Sequence, residues 1–296
     1  MTAVPLLALL VDRWAGEPFA HVHPVVWMGR YLDGCAARRR TDAPRARQRV
    51  TGGVGVAVGC ALAGAGAALL RRCLRPLPPL ARVLAEAAVL STLLAERMLA
   101  DEIAGVGRTV GRDLDGARSR LAMLVSRDVA DLDHAQVREA AIESLAENAS
   151  DSIVAPLWWY GLAGLPGAAV YRFVNTADAM WGYRTESWRW WGAAAARADD
   201  VANWLPARAT AVLLAPTRDL RRVASAASVT ASPNAGWPMA AVAVRWDLRL
   251  RKPGVYVVNP TGRTPGDADV DRAITAIRAA ATAAAIGASV CGRPAR

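Results

Sequence analysis

The chain has 296 residues but contains only one lysine, three histidines and four cysteines. The cysteines form no close pair, which excludes a disulfide scaffold and a cysteine-based zinc site and is typical of a reducing compartment. His21 and His23 alternate, but no third histidine or cysteine lies nearby, so we interpret this segment as a loop before Pro24 rather than a zinc site. Any chemistry must therefore depend mainly on carboxylates, arginine and the backbone.

Several common site motifs are also missing. The sequence has no GxxxxGK[ST] phosphate loop, no GxGxxG between a strand and a helix, no HExxH and no GxSxG. These absences exclude the standard nucleotide-binding, zinc-protease and nucleophile-elbow sites. An ATP site in this chain has to be of a non-standard kind.

The basic residues are in excess and are almost all arginine. Lys and Arg number 36 against 26 Asp and Glu, which gives a net charge of +10. A GC-rich genome is one explanation, and anionic partners such as lipid head groups or phosphates are another. Nucleic acid is not expected, because the arginines interrupt long apolar runs and no DNA-binding motif is present.

Two uncharged runs predict membrane-spanning helices. Residues 51–70 are about as long as a helix that crosses a bilayer, and Gly55 and Gly59 form a small-xxx-small spacing that lets another helix approach. Residues 153–171 form the second run, in which Pro156 and Pro166 predict a kink. A buried, glycine-rich soluble helix is the alternative for the first run.

Other apolar segments are ambiguous. Residues 83–99, 201–216 and 273–291 are long enough to span but carry charges, and residues 4–11 are apolar but short and make a poor signal peptide. We expect an all-α, multi-pass integral membrane bundle with about four or five inserted helices, forming a single domain over residues 1–296. Residues 251–264 predict a short surface hairpin.

The strongest polar pattern lies between residues 126 and 156. Glu139, Glu143 and Glu147 are spaced by four residues, so a helix places all three carboxylates on one face. A solvated acidic face is the ordinary explanation. Asn148 and Asp151, however, extend the polar face up to the apolar run, and few arginines lie four residues away. Clustered carboxylate and amide oxygens suit Mg²⁺.

A second oxygen-rich pattern lies between residues 175 and 208. Asp199 and Asp200 precede Asn203 on a predicted helix, and five of the chain's eleven tryptophans lie nearby. The tryptophans are either a membrane-interface belt or a platform for a large planar ligand. Two further polar segments, residues 12–30 and 231–239, are ordinary loops when considered alone.

Taken together, these four polar segments resemble the CobD/CbiB family of cobalamin biosynthesis. The matching stretches follow the family's order and cover most of the chain: DRWAGEPFAHVHPVVWMGR, SRD with ESLAENASDSIVAPLWW, VNTADAMWGYR, ARADDVANWLPAR and SPNAGWPMA. The stretch AVRWDLRL that follows is more charged than the family pattern. The family is also similar to AmpE-like membrane proteins, which lack the full set.

The resemblance implies a multi-pass membrane enzyme, adenosylcobinamide-phosphate synthase. Such enzymes use ATP and Mg²⁺ to join adenosylcobyric acid to (R)-1-amino-2-propanol O-2-phosphate through an amide at a corrin propionate. The sequence leaves open whether the amine is phosphorylated. Association with other corrinoid-pathway membrane enzymes is a further expectation.

The chemistry of this reaction assigns roles to residues of the clusters. A proton acceptor is needed for the amine, and cationic groups are needed for the phosphates. Asp128 and Asp178 are alternatives for the acceptor, and Glu147 is a further catalytic candidate. The expected phosphate and substrate ligands are Arg127, Arg184, Arg197, Arg208, Asn175, Asn203 and Asn234. The expected Mg²⁺ ligands are Glu143, Glu147, Asp151, Asp199 and Asp200.

The location follows from charge and from ATP. Seven arginines between residues 30 and 49 precede the first span and three follow it, which favours a cytoplasmic 30–50 loop. We expect a cell-membrane protein whose polar segments meet in one pocket on the cytoplasmic face. A non-catalytic AmpE-like sensor and a transporter remain the alternatives, although a transporter should show paired inverted halves, which are not evident.

Overall fold

The protein is mostly helical in a computed structural model that describes residues 2–292. These residues form thirteen α-helices and one two-stranded hairpin, with a π-helical turn at Ser150–Val154 and a 3-10 turn at Thr217–Asp219. The helices are α1 (Val4–Ala15), α2 (Pro24–Ala36), α3 (Arg45–Leu74), α4 (Pro79–Ser91), α5 (Glu96–Val110), α6 (Leu114–Leu121), α7 (His134–Ala149), α8 (Ala155–Trp181), α9 (Ala193–Ala202), α10 (Trp204–Leu214), α11 (Leu220–Ala227), α12 (Gly236–Trp246) and α13 (Asp267–Cys291). The strands are β1 (Leu250–Lys252) and β2 (Tyr256–Val258).

Within the described residues, three helical stretches are long and apolar enough to cross a membrane. They are Arg45–Leu74, His134–Trp181 and Asp267–Cys291. The first two contain the predicted spans 51–70 and 153–171, and the third contains the ambiguous segment 273–291. The antiparallel pairing of β1 with β2 confirms the hairpin expected within residues 251–264.

The other two ambiguous segments are not continuous helices. In residues 83–99 the hydroxyls of Ser91 and Thr92 bond back to carbonyl oxygens one turn earlier, at 2.8 Å each, and the helix tightens and ends. In residues 201–216 the break falls near Asn203. Pro206 has no N–H to offer the Ala202 carbonyl, which accepts the indole N–H of Trp159 at 3.0 Å instead.

The chain folds into two compact units. One comprises residues up to 95, residues 155–203 and those from 284 onward, and the other comprises residues 96–154 and 204–283. The chain passes between the units four times, so both are discontinuous in sequence. A single domain over residues 1–296 stays a prediction.

The first unit is built on the packing of α3 against α8. Phe173 and Trp181 of α8 are buried among side chains of α2, α3 and α9. Glycines of α3 allow this approach: a Cβ at Gly59 would lie 1.9 Å from the Phe173 ring, and one at Gly52 would lie 2.1 Å from the Trp191 carbonyl oxygen. Small residues on α3 therefore serve helix contact.

Helix α8 is kinked, as its prolines predicted. Gly164 has φ 66° and ψ −160°, and Pro166 follows two residues later. A Cβ at Gly164 would also lie 2.9 Å from the Nη1 atom of Arg71. Both the positive φ and the close guanidinium require glycine at this position.

The second unit is organised around α7. Asp133 caps this helix by accepting from the backbone N–H of Gln136 at 2.8 Å, while the Gln136 side chain accepts from the N–H of Asp133. Helix α7 packs against α5, α12 and β1, and α10 packs against α12 and the π-helical turn. The loop between residues 126 and 133 and the hairpin thus both reach α7.

The contact between α3 and α8 can be tested with two glycines of α3. Gly59→Ala should lower the free energy of unfolding by about 1–3 kcal/mol, because the added methyl group overlaps the Phe173 ring. Gly66→Ala is the control, since a Cβ there meets nothing within 4 Å, and it should be neutral or stabilise by about 0.5–1 kcal/mol. Thermal unfolding of the detergent-purified chain measures both. Equal effects of the two variants would contradict this packing.

Candidate functional site

The carboxylates of α7 are not a solvated acidic face. Glu139 and Glu143 are 0% and 1% exposed. Arg127 forms an ion pair with Glu143, and the Arg251 Nε atom lies 2.9 Å from Glu139 Oε2. The Arg249 Nε atom lies 3.8 Å from the other oxygen of Glu139. Burial therefore separates these two carboxylates from solvent, and arginine side chains supply their counter-charges.

The hairpin adds a phenol and a lysine to this cluster. Tyr256 lies within hydrogen-bonding reach of Glu143, and Lys252 is close enough to act on the charge of Glu143. Burial raises the pKa of Tyr256, and the negative charges of Glu143 and Glu147 raise it further. The phenol consequently stays protonated at neutral pH and is available as a hydrogen-bond donor.

The C-terminal end of α7 presents more accessible oxygens. Glu147 and Asp151 are half-buried and four residues apart, and the π-helical turn begins at Ser150. Single π-turns inside α-helices are frequently found at functional sites. Asn148 is held in place by its own side chain, which donates to the Ser144 carbonyl oxygen at 2.9 Å. This end of the helix is the accessible part of the predicted acidic face.

A second contact in the same unit joins two distant segments. The Arg208 Nη1 atom donates to the Trp204 carbonyl oxygen at 2.7 Å and lies 3.2 Å from Asn234 Oδ1. Its guanidinium also stacks over the rings of Trp204 and Trp237, at 4.1 and 4.7 Å from their centroids. Contacts from several sides thus hold the Arg208 guanidinium in one orientation.

The other unit holds the remaining carboxylates. Asn175 Nδ2 lies 3.3 Å from Asp199 Oδ1, and Asp199 is only 8% exposed. Asp178 of α8 is close enough to Asp200 of α9 for their charges to interact. Burial raises the pKa of Asp200, and the positive charge of Arg184 opposes that shift. A mixed cluster of carboxylates, an amide and an arginine therefore lies between α8 and α9.

Three predicted residues have other surroundings. Asp128 is exposed and accepts from the Ala130 N–H at 2.9 Å, Arg197 is exposed on α9, and Asn203 is buried at the C-terminal cap of α9. No group of three or more His, Cys, Asp or Glu side chains within residues 2–292 is placed to hold a metal ion. The Mg²⁺ ligands named from the sequence stay a prediction.

The tryptophan-rich segment is divided between core and surface. Trp181 and Trp191 are buried and pack edge to face, with ring centroids 5.6 Å apart. Trp188 lies 3.8 Å from the Arg39 guanidinium, and Trp190 has Arg45, Arg49 and Arg189 around its ring. Trp188 thus meets the segment before α3, and Trp190 meets the arginine-rich start of α3.

The interpretation of the histidine loop is confirmed. His23 caps the start of α2 by accepting from the Val25 N–H at 3.1 Å, and its other ring nitrogen contacts Glu17. Both ring nitrogens have protein partners, so His23 acts as a structural cap.

Sequence reasoning missed the partners of α7. Arg251 is 112 positions from Glu139, so spacing along one helix gave no sign of their contact. One signal was available: Arg249 and Arg251 alternate at the start of the predicted hairpin, and alternate residues of a strand share a face. Nothing in the local sequence assigned that face to α7.

Comparisons with known proteins agree with the family resemblance. A family model described as "CobD/Cbib protein" matches residues 5–284. The cobalamin biosynthesis protein CobD of Sinorhizobium sp is 37% identical, with 93% of each chain covered. The protein of the same name from Rhizobium meliloti is 38% identical over 93% of this chain and 92% of the relative. A probable cobalamin biosynthesis protein CobD of Pyrococcus abyssi is 40% identical over 90% of this chain and 88% of the relative. No solved structure matches the chain.

The buried pair of Arg127 and Glu143 allows a test by double substitution. Arg127→Met should lower the free energy of unfolding by about 3–5 kcal/mol, because it leaves a buried carboxylate without its cation. Arg127→Met combined with Glu143→Leu should recover most of this loss. Chemical denaturation in detergent measures both.

The control for this test is Arg189→Met, which removes an exposed partner of Glu186 and should change stability by about 0–1 kcal/mol. A double variant as unstable as Arg127→Met alone would show that the two side chains are not energetically coupled.

Proposed function

The chain belongs to the CobD/CbiB family of cobalamin biosynthesis, and from this premise we propose that it is a multi-pass membrane ligase. In this proposal the enzyme joins adenosylcobyric acid to (R)-1-amino-2-propanol O-2-phosphate at the expense of ATP. The product is adenosylcobinamide phosphate. The family match over residues 5–284 and the three apolar helical stretches support the assignment.

One observation carries the proposal: the family-like stretches contact one another within each unit. In one unit Arg127 pairs with Glu143, and Arg208 bonds Asn234, so segments far apart in sequence are joined by polar side chains. In the other unit Asn175 bonds Asp199. Polar pairs of this kind in an apolar protein are costly unless they are used, which favours an enzyme over a passive membrane protein.

The reaction requires activation of a carboxylate. A propionate oxygen attacks the γ-phosphorus of ATP, ADP leaves, and an acyl phosphate forms. The neutral amine then attacks the acyl carbon, the C–O bond to phosphate breaks, and the amine proton passes to a base. Arg127, Arg184, Arg197 and Arg208 are proposed to neutralise the phosphates, and Asn175, Asn203 and Asn234 to orient the substrates.

The base is proposed to be Asp178 rather than Asp128. Asp178 is half-buried next to Asp200, while Asp128 is exposed and engaged with the Ala130 N–H. A half-buried carboxylate can accept a proton from a bound amine without losing it at once to water. Glu147 remains the second catalytic candidate.

Mg²⁺ would accompany ATP, and its ligands are proposed from burial. Glu147 and Asp151 are half-buried and one helical turn apart, whereas Glu143 is only 1% exposed. One or two carboxylates are enough for Mg²⁺, which takes its other oxygens from phosphates and water. Asp199 and Asp200 are proposed as ligands of the same kind on α9. The ion would offset phosphate charge during both steps.

The membrane orientation is proposed from the start of α3. Arg49 of α3 stacks on Trp190, and Arg39 in the preceding segment stacks on Trp188; aromatic and basic side chains together are typical of a membrane interface. The larger number of arginines before this helix favours a cytoplasmic location for this end. ATP is available on that side, so we propose that the polar segments face the cytoplasm of the cell membrane.

The role of Glu147 can be tested by a conservative substitution. Glu147→Gln removes one charge and keeps the shape, so we expect amide formation to fall by about 100-fold or more while membrane expression is unchanged. Mass spectrometry of the corrin product in purified membranes, with and without ATP and Mg²⁺, gives the rate. Glu186→Gln is the control, because Glu186 is exposed and forms a surface ion pair with Arg189, three residues later.

Near-normal turnover of Glu147→Gln would remove Glu147 from the site. If the unaltered chain forms no amide with ATP, the ligase proposal fails and an AmpE-like sensor or a transporter takes its place.

The orientation can be tested by labelling single cysteines. Cysteines placed at Ser126, Ser187 and Ser232, in a background without the four native cysteines, should react only with reagent admitted to the cytoplasm. Ser126 and Ser187 are exposed and Ser232 is half-buried, so all three should be accessible. Labelling of any one of them from outside intact cells would mean that the polar segments do not share a face.

A further inference from the structure

A basic cavity lies at the C-terminal end of α3, within the first unit and apart from every residue assigned a role above. Its volume is about 710 Å³. Arg71, Arg72 and Arg75 come from the end of α3 and Arg82 from α4, while Glu86 and Tyr160 complete the polar lining. Four arginines therefore face one carboxylate.

Only one of these arginines has a carboxylate partner within residues 2–292. The Arg71 Nε atom lies 3.1 Å from Glu86 Oε1, and the Tyr160 hydroxyl donates to the same oxygen at 2.9 Å. The Nε atom of Arg82 is buried and has no hydrogen-bond acceptor among the described residues. A buried guanidinium N–H without an acceptor costs free energy, so the cavity is electrostatically incomplete without an anion.

The remaining walls are apolar and are shaped by the kink of α8. The kink at Gly164 leaves room for the Arg71 guanidinium, as described above, and Leu162 at the rim is 62% exposed. Close by in sequence, Leu80 and Leu84 of α4 are also exposed, at 69% and 49%. Arginines interleaved with exposed leucines are typical of a surface that meets both lipid head groups and acyl chains.

The position of the cavity along α3 indicates its depth in the membrane. A helix of 30 residues is about 45 Å long, which is close to the full thickness of a bilayer with its head groups. Arg45 and Arg49 lie at one end of α3 and the cavity lies at the other. If α3 crosses the membrane, the cavity is at head-group depth on the side opposite the 30–50 loop.

We propose that this cavity binds the phosphate group of an anionic phospholipid. The guanidinium groups of Arg72, Arg75 and Arg82 bind the phosphate oxygens, since arginine matches phosphate in charge and geometry. The acyl chains lie along the apolar rim beside Leu162. A free phosphate or a nucleotide also carries negative charge but has no acyl chains to contact the apolar rim. The proposal rests on the membrane location proposed above but not on the reaction.

The test measures lipid retention by the full chain in detergent with native mass spectrometry. The probes are phosphatidylglycerol, phosphatidylcholine, inorganic phosphate and ATP. Arg72→Gln/Arg75→Gln removes two exposed arginines of the cavity and leaves the Arg71–Glu86 pair intact. The control, Arg38→Gln/Arg47→Gln, removes the same charge from Arg38, in the segment between α2 and α3, and from Arg47, at the opposite end of α3.

We expect the unaltered chain to retain phosphatidylglycerol more strongly than phosphatidylcholine. The cavity variant should bind phosphatidylglycerol about thirtyfold more weakly, and the control variant should bind it as the unaltered chain does. Equal weakening in both variants would reduce the effect to general surface charge and overturn the site. Retention of ATP or inorganic phosphate in place of lipid would overturn the lipid assignment. Absence of amide formation in the unaltered chain would count against the ligase and leave the lipid result standing.

Discussion

A carboxylate taken out of water needs a cation, and this requirement organises both units of the protein. Among residues 2–292, four glutamates are at most 3% exposed, and each is paired with an arginine from another segment of the chain. The pairs are Glu86 with Arg71, Glu96 with Arg278, Glu139 with Arg251 and Glu143 with Arg127. Arginine suits this task because it keeps its charge when buried. Each pair fixes one element against another at a single register, which apolar contacts between alanine-rich helices do not do.

These ion pairs bear on how the net charge of +10 is explained. Genome composition and anionic partners are the two explanations that composition offers, but some of the arginines serve the fold. Other arginines have no carboxylate partner among residues 2–292, and three of these, Arg72, Arg75 and Arg82, line the cavity at the end of α3. The net charge does not distinguish arginines that form ion pairs with carboxylates from arginines that do not. Only the structure shows which arginines have carboxylate partners.

Local patterns in the sequence predicted local structure well. The uncharged run 51–70, the prolines of α8 and the hairpin each depend on neighbours within a few residues, and the structure contains all three. The breaks near Thr92 and Asn203 were not predicted. They arise from hydrogen bonds of side-chain hydroxyls and from a proline, which the length of an apolar run does not reveal.

The candidate site was predicted as a set of residues but not as contacts, since Glu139 contacts Arg251 across 112 positions. The acidic face of α7 was correctly predicted to lie on a helix. Residue spacing along that helix could not predict that distant arginines neutralise it.

Burial also divides the glutamates of α7 into two kinds that the sequence presents as equal. Glu139, Glu143 and Glu147 repeat every four residues, yet the first two are enclosed and paired while the third is half-buried. A carboxylate held by arginine in the interior has little freedom to exchange a proton or take up an ion, because either event would leave the arginine uncompensated. Glu147 lies at the end of the same helix and is half-buried, so solvent and ligands can reach it. The enclosed glutamates Glu139 and Glu143 therefore serve the packing of α7, and Glu147 with Asp151 form the part of the acidic face that is accessible.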